Sequence, residues 1–261
     1  MNILEKIIVH KREELHIRKS MVYENELLES KLFNRDCHSL KEQLLKEGAT
    51  GIIAEFKRKS PSKGYINQYA NAAAVTRAYT EFGASGLSVL TDHEFFGGNT
   101  EDIILAREND IPILRKDFII DTYQVLSAKA MGADVILLIA ACLSPAEVRS
   151  LAAFARKNGL EVLLELHDES ELDHICDEVD MVGINNRNLK TFKVDIKRSL
   201  QLANKIQNKV LVAESGITNV ETIKQFRDEG FKGFLIGEAF MAAPDPGAAF
   251  RNFVAELKRE S

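Results

Sequence analysis

Several kinds of residue and pattern are scarce in this chain of 261 residues, and each scarcity closes off a class of protein. Cys37, Cys142 and Cys176 are odd in number and far apart, which excludes a disulfide framework and fits a reducing compartment. No apolar run reaches membrane-spanning length, and the opening MNILEKIIVHKREELHIRKS is too charged for a signal peptide. A cytoplasmic protein with no membrane partner is expected. There is no excess of positive charge either: the formal charge is −5 and the pI about 5.8. That argues against a nucleic-acid partner, and it requires any anionic ligand to be met by local cations. Phosphate-loop and dinucleotide fingerprints are missing, so a small phosphorylated substrate is expected rather than a nucleotide cofactor. The six histidines, His10, His16, His38, His93, His167 and His174, show no metal-binding spacing, and neither a metal nor a cofactor is expected. His167 alone falls near a candidate site, where a solvent-facing or hydrogen-bonded ring is the simpler reading. Tryptophan is absent altogether.

What is present is a repeated alternation. Strand-like runs begin at Gly51 (GIIAEF), Gly86 (GLSVL), Ile111 (IPILR), Asp134 (DVILLIA), Leu160 (LEVLLEL), Asp180 (DMVGI), Lys209 (KVLVAE) and Gly233 (GFLIG). Segments with apolar residues at helical spacing separate them, such as Ala74, Ala78 and Phe82, or Val148, Leu151, Ala152 and Ala155. A weak internal repeat, EFGASGLSVL, AMGADVILLI and DEGFKGFLIG, ends a helix at glycine and enters a strand each time. The strands carry few outward polar residues, as a parallel sheet covered by helices requires. The expected fold is α/β: a (β/α)8 TIM barrel spanning 1–261 as one domain. Two doubly wound domains are the second choice, since no linker divides the chain. Residues 1–48 precede the first strand and are expected to be an N-terminal helical extension packed on the barrel, from the spacing of Ile3, Leu4, Ile7, Ile8 and Leu15 and of Leu40, Leu44 and Leu45. No large apolar patch is apparent on the helical faces, so a monomer is expected.

Charge sits where a core strand should have none. In GIIAEFKRKSPSKGY, Gly51 to Tyr65, Glu55 and Lys57 share a face with Ile53, because strand side chains alternate. The same count puts Lys116 with Leu114, Glu165 with Leu163, and Glu214 with Val212. These belong to strands one, three, five and seven, which fill one interior layer of a barrel, and each charge is at the C-terminal end, where active sites of this fold lie. In GINNRN, Gly183, Asn185 and Arg187 share that face, whereas Asn186 and Asn188 point away into loop or cap roles. The loops after strands seven and eight bring Ser215, Gly216 and Gly237, suited to close backbone approach to an anion, and Lys57, Ser60 and Lys63 on the first loop complete a phosphate clamp. A lysine at a strand end also suits a Schiff-base aldolase, and a non-catalytic sugar-phosphate sensor would need the clamp but not the carboxylates.

The segments IIAEFKRKSPSKG, LSVLTDHEFFGG, PILRKDFIIDTYQ, ADVILLIAACL, VLLELHDESEL, VGINNRNLKTFKVD, LVAESGI and FLIGEAFM, in this order and across nearly the whole chain, resemble the indole-3-glycerol phosphate synthase family. The resemblance implies a (β/α)8 barrel with an N-terminal helical extension. It also implies conversion of 1-(2-carboxyphenylamino)-1-deoxyribulose 5-phosphate to indole-3-glycerol phosphate, carbon dioxide and water in tryptophan biosynthesis. Some members continue into a fused isomerase; this chain stops at Ser261, and a single activity is expected. Carried over, Lys116 is the general acid of ring closure, Glu165 the partner acid or base in dehydration, and Lys57 a substrate-binding and proton-handling lysine. Glu55, Asn185, Glu214 and Ser215 support the chemistry, and Arg187 and Ser60 bind substrate. The phosphate falls to Lys57, Ser215, Gly216, Gly237 and Glu238. Where Glu238 stands some relatives carry a small hydroxyl residue, so a backbone N–H contact is expected there.

Overall fold

The computed structural model describes residues 2–187 and 193–260. Asn188 lies outside the described residues. Eight parallel strands close into a barrel in chain order, and we number them β1 (Ile52–Phe56), β2 (Gly86–Leu90), β3 (Ile113–Lys116), β4 (Val135–Ile139), β5 (Glu161–Leu166), β6 (Met181–Asn185), β7 (Val210–Glu214) and β8 (Gly233–Ile236). Most strand positions are buried on both faces, which is why the sequence reads as near-continuous apolar runs. The αL glycine expected from the internal repeat is present: Gly132, with φ 102°, ends the helix before β4.

The interior layers follow from register and alternation. Ile53, Leu114, Leu163 and Val212 form an apolar layer, and two residues further along the same strands come Glu55, Lys116, Glu165 and Glu214. Below the apolar layer the barrel narrows to Gly86, Val135, Met181 and Gly233. The opposite strand faces meet the surrounding helices in a larger core that includes Phe226, Phe231 and Phe234.

The N-terminal extension divides between the two barrel ends. Helix α1 (Ile3–Met21) starts with a capping box between Asn2 and Glu5, and α2 (Glu24–Leu28) follows it. Helix α3 (Leu40–Leu45) is capped by Ser39, and its first backbone N–H groups, of Leu40 and Lys41, donate to the Glu161 carboxylate at the start of β5. It places Leu40 and Leu44 into the barrel bottom. A Cβ on Gly86 would come within 2.6 Å of Leu40 Cδ1, and one on Gly233 within 3.1 Å of Leu44 Cδ1, so these glycines make room for the plug. Helix α1 instead crosses the C-terminal mouth. Its buried Lys11 lies 2.7 Å from Glu14, 2.9 Å from Asp92 and 3.0 Å from Asp117, the last two in the loops after β2 and β3.

Two connections depart from the plain alternation. Between β5 and β6 there is no α-helix: only a 3-10 helix, Glu169–His174, started by Asp168 accepting from the Ser170 N–H. After β1, Lys59–Ser60 and Gly64–Tyr65 pair antiparallel, so the first loop is a small hairpin over the mouth rather than a simple polar turn.

Candidate active site

At the C-terminal mouth is a cavity of about 450 Å³. Glu55, Lys57, Ser60, Lys116, Glu165, Asn185, Arg187, Glu214, Ser215, Gly216, Gly237 and Glu238 line it; Lys63, expected in the phosphate clamp, and Gly183 are not among the lining residues. The opposite wall is apolar and comes largely from parts of the chain without strand periodicity. Ile3, Leu4 and Ile7 of α1 line it together with Phe96, Phe118, Leu137 and Ile139. Phe96 ends the short helix His93–Phe96 and Phe118 lies just after β3, both in connections where no repeat marks them, and α1 carries no sequence signal for which end of the barrel it covers.

On the polar wall Lys116 is the centre. Its Nζ is 3.5 Å from Glu165 Oε2 and 3.4 Å from Glu214 Oε2. Burial works to lower the pKa of the Lys116 ammonium, but Glu214, Glu165 and Glu55 together outweigh it and hold the group above its ordinary value. The two carboxylates are driven apart. Burial raises Glu214 to about 8, Glu165 and Glu55 adding to the effect against Lys116. Glu165 is equally buried, yet Lys116, His167 and Asn185 hold it below the usual carboxylate range. Asn185 Nδ2 donates to Glu165 Oε1 at 3.0 Å, and Asn185 Oδ1 accepts the Arg187 N–H at 2.9 Å. The site thus sets a charged amine within 3.5 Å of two carboxyls of unlike proton affinity, Glu214 the higher and Glu165 the lower. Lys57 forms a separate pair with Glu55 at 2.6 Å.

Glycine shapes this wall. A Cβ on Gly183 would lie 2.1 Å from Glu214 Oε1, and one on Gly237 2.6 Å from Glu55 Oε1. Gly237 therefore seats a carboxylate as well as exposing its backbone. After β7 the chain turns sharply through Ser215 (φ 68°) and Gly216 (φ 72°). Ser215 is a non-glycine residue held in the left-handed region, a strain that must be supported by its surroundings. Part of that support comes from Asn186, which points away from the cavity and donates from Nδ2 to Ser215 O at 2.7 Å. Near this turn Glu238, at the start of the short helix Glu238–Met241, pairs with Lys63 at 2.5 Å and lies 4.0 Å from Arg187. Burial tends to raise its pKa, but Lys63, Lys57 and Arg187 hold it below the usual range.

His167, which the sequence put near the site with a solvent-facing or hydrogen-bonded ring, is buried against Glu165. Lys11, Asp92 and Asp117, which carried no signal in the sequence, form an ion cluster beside Lys116. Asp117 also pairs with Arg115 at 2.9 Å and accepts from Thr91 Oγ1 at 2.7 Å. Among the described residues no group of three or more His, Cys, Asp or Glu could hold a metal ion.

A closed parallel barrel with acid and lysine side chains gathered at the C-terminal mouth makes this a (β/α)8-barrel enzyme. Solved structures agree on the fold: 3-hexulose-6-phosphate synthase from Salmonella typhimurium superposes with TM-score 0.63 at 13% identity, covering 81% of this chain and 100% of that one. The tryptophan synthase alpha subunit from Legionella pneumophila gives 0.61 at 14%, covering 84% and 95%. Sequence comparison narrows the class. The family model for indole-3-glycerol phosphate synthase matches residues 4–253. The indole-3-glycerol phosphate synthase of Bacteroides thetaiotaomicron is 48% identical over 98% of this chain and 99% of its own, and that of Polaromonas naphthalenivorans 44% over 98% and 99%. The chain belongs to the indole-3-glycerol phosphate synthase family, carboxy-lyases of tryptophan biosynthesis.

Proposed function

We propose that the cavity closes the indole ring of 1-(2-carboxyphenylamino)-1-deoxyribulose 5-phosphate, with Lys116 as the first proton donor. The observation that supports this most strongly is the Lys116 ammonium set between Glu165 and Glu214 at the end of an apolar barrel interior. As the carboxylate-bearing aryl carbon attacks the ribulose ketone, negative charge builds on the carbonyl oxygen. A buried ammonium beside it stabilises that charge and supplies the proton. Loss of carbon dioxide restores the aromatic ring. The hydroxyl then leaves as water with a proton from Lys57, while the ionised Glu165 takes the proton lost from the adjacent carbon. Glu214, neutral near pH 7, spares Lys116 a second full anion. Asn185 and Ser215 hold this geometry, and Arg187 and Ser60 bind substrate. The apolar wall of Phe96, Phe118 and α1 suits the aryl ring.

The phosphate belongs at the backbone of Ser215, Gly216, Gly237 and Glu238. Lys63, Lys57 and Arg187 are already gathered there around a carboxylate, which occupies the place of an anion. Metal and cofactor are not called on for any step. We read the protein as a cytoplasmic monomer, in keeping with its unpaired cysteines.

Since the chain has no tryptophan, product is visible directly. Supplied with the carboxyphenylamino ribulose phosphate alone, the enzyme should generate indole emission and carbon dioxide in equal amounts. No indole signal would reject the assignment. Borohydride reduction with a ketose phosphate should leave Lys116 unmodified; an adduct on it would favour aldolase chemistry.

A further inference from the structure

Behind Glu165, away from the cavity, stand two residues the reaction above does not use. His167 lies two residues beyond Glu165, past the end of β5, and it does not line the cavity. Its Nε2 is 3.0 Å from Glu165 Oε1, and its Nδ1 is 3.7 Å from Glu171 Oε2. Glu171 comes from the 3-10 helix that replaces the fifth barrel helix, and the backbone N–H of His167 donates to its Oε2 at 2.6 Å. Both ring nitrogens are sealed from solvent, and neither has an in-line hydrogen bond among the described residues.

These facts decide the charge of the ring. An ionised carboxylate offers only acceptors, and a neutral imidazole has one nitrogen that is itself an acceptor. Between Glu165 and Glu171 a neutral ring would leave both carboxylates without a facing charge on this side. The imidazolium sets its positive charge 3.0 Å from one and 3.7 Å from the other. Burial works against that charge, but contact with Glu165 and Glu171 outweighs it and pushes His167 up to about 10.

We propose that His167, clamped between Glu165 and Glu171, is a positioning residue whose positive charge keeps the Glu165 carboxylate ionised and aimed into the cavity. The inference rests on Glu165 being the proton acceptor. Lys116 alone could not guarantee that state, because it is shared with Glu214 at a nearly equal distance. The second cation breaks the tie: Glu165 touches two positive groups and Glu214 one, so the proton in the pair goes to Glu214. The other groups packed around are few. Asn185 from β6 donates to Glu165, and the Cys142 thiol after β4 is pushed up by burial and by Glu165 and Glu171, so it stays neutral. Asp168 is the chain neighbour, Arg198 from the helix Ile196–Ala203 reaches the Asn185 carbonyl at 3.2 Å, and the His174 ring contacts the Leu143 carbonyl at 2.9 Å and the Glu171 carbonyl at 3.1 Å.

Two measurements test this. In ring-labelled histidine NMR of the wild-type enzyme, one resonance, identified by its loss in His167→Gln or its displacement in Glu171→Gln, should keep imidazolium shifts from about pH 6 to about pH 9. A neutral His167 ring at pH 7 overturns the proposal, and this reading needs only one of the two variants to fold. In steady-state kinetics, His167→Gln should move the acidic limb of kcat upward by about 1 to 2 pH units, since loss of a cation at this distance raises a carboxylate's pKa. The fall in kcat should be absent at neutral pH and grow as pH drops towards the shifted limb while KM stays within about twofold, which a merely structural role would not produce. An unmoved acidic limb also overturns the proposal. Glu165→Gln separates the two layers of reasoning: if it keeps full kcat, the role of Glu165 is wrong. If it loses rate while the limb in His167→Gln stays put, only the role of His167 is wrong.

Discussion

The two ends of the barrel are built from the same alternation and do opposite work. At the bottom, α3 inserts Leu40 and Leu44 against Gly86 and Gly233, and the layer above them is aliphatic. At the top, two residues further along the odd strands, the interior becomes Glu55, Lys116, Glu165 and Glu214, closed over by α1 through an ion cluster. Unpaired charge in an interior costs several kcal/mol, so the top persists only because each ion faces another. The bottom needs no such pairing. On the proposed reading, stability and chemistry are thereby separated by the length of a strand, with α3 at one end and α1 at the other.

The sharpest way to break this comparison is at Lys11. Lys11→Met keeps the stem but leaves Asp92 buried without its cation and Asp117 with Arg115 alone, and unfolding should become easier by about 3 to 5 kcal/mol. Because α1 carries Ile3, Leu4 and Ile7 into the cavity wall, KM should rise several-fold in the molecules that remain folded. An unchanged KM would mean that α1 is scaffold only. At the other end, Leu40→Ala should cost about 2 to 5 kcal/mol, or roughly 5 to 15 °C in Tm, through the cavity it leaves. Below the melting range kcat and KM should be untouched; a change in either would deny the separation.

The smallest effect concerns pH. Glu214 has a folded-state pKa of about 8, above its unfolded value, so its contribution to stability is full below the unfolded pKa and is lost as pH rises towards and through 8. Removing the titration by Glu214→Gln should flatten the decline in Tm between about pH 5 and pH 9, by about 2 to 6 °C, even as activity falls. A parallel decline in both proteins would place the proton elsewhere.

Much of the top was legible in the sequence because alternation leaves a charge exposed to counting. Glu55 after Ile53, Lys116 after Leu114, Glu165 after Leu163 and Glu214 after Val212 each violate an apolar pattern in the same register, and the violation points to the mouth. The bottom was legible only as helical spacing. Nothing in Leu40 or Leu44 says that a helix plugs a barrel, because the complementary signal is the missing side chain at Gly86 and Gly233, far away in the chain. His167, Phe96 and Phe118 were opaque for a related reason. They sit in connections, where no period relates one residue to the next, and only the folded loop brings His167 to Glu165 and Glu171. The 3-10 helix after β5 was equally hidden, since HDESELDHICDEVD offers cap and turn residues without stating which short helix they start.

The separation of the two ends is tested most directly at Lys116, by measuring kcat, substrate binding and Tm together in Lys116→Met. The apolar stem is kept and the proton donor lost. Substrate should still bind, Tm should fall by several degrees as Glu165 and Glu214 lose a buried partner, and kcat of the folded enzyme, read from indole emission against a background without tryptophan, should fall by about 10² to 10⁴. A near-normal kcat in a folded, substrate-binding Lys116→Met enzyme would contradict the account and take the chemistry away from this lysine.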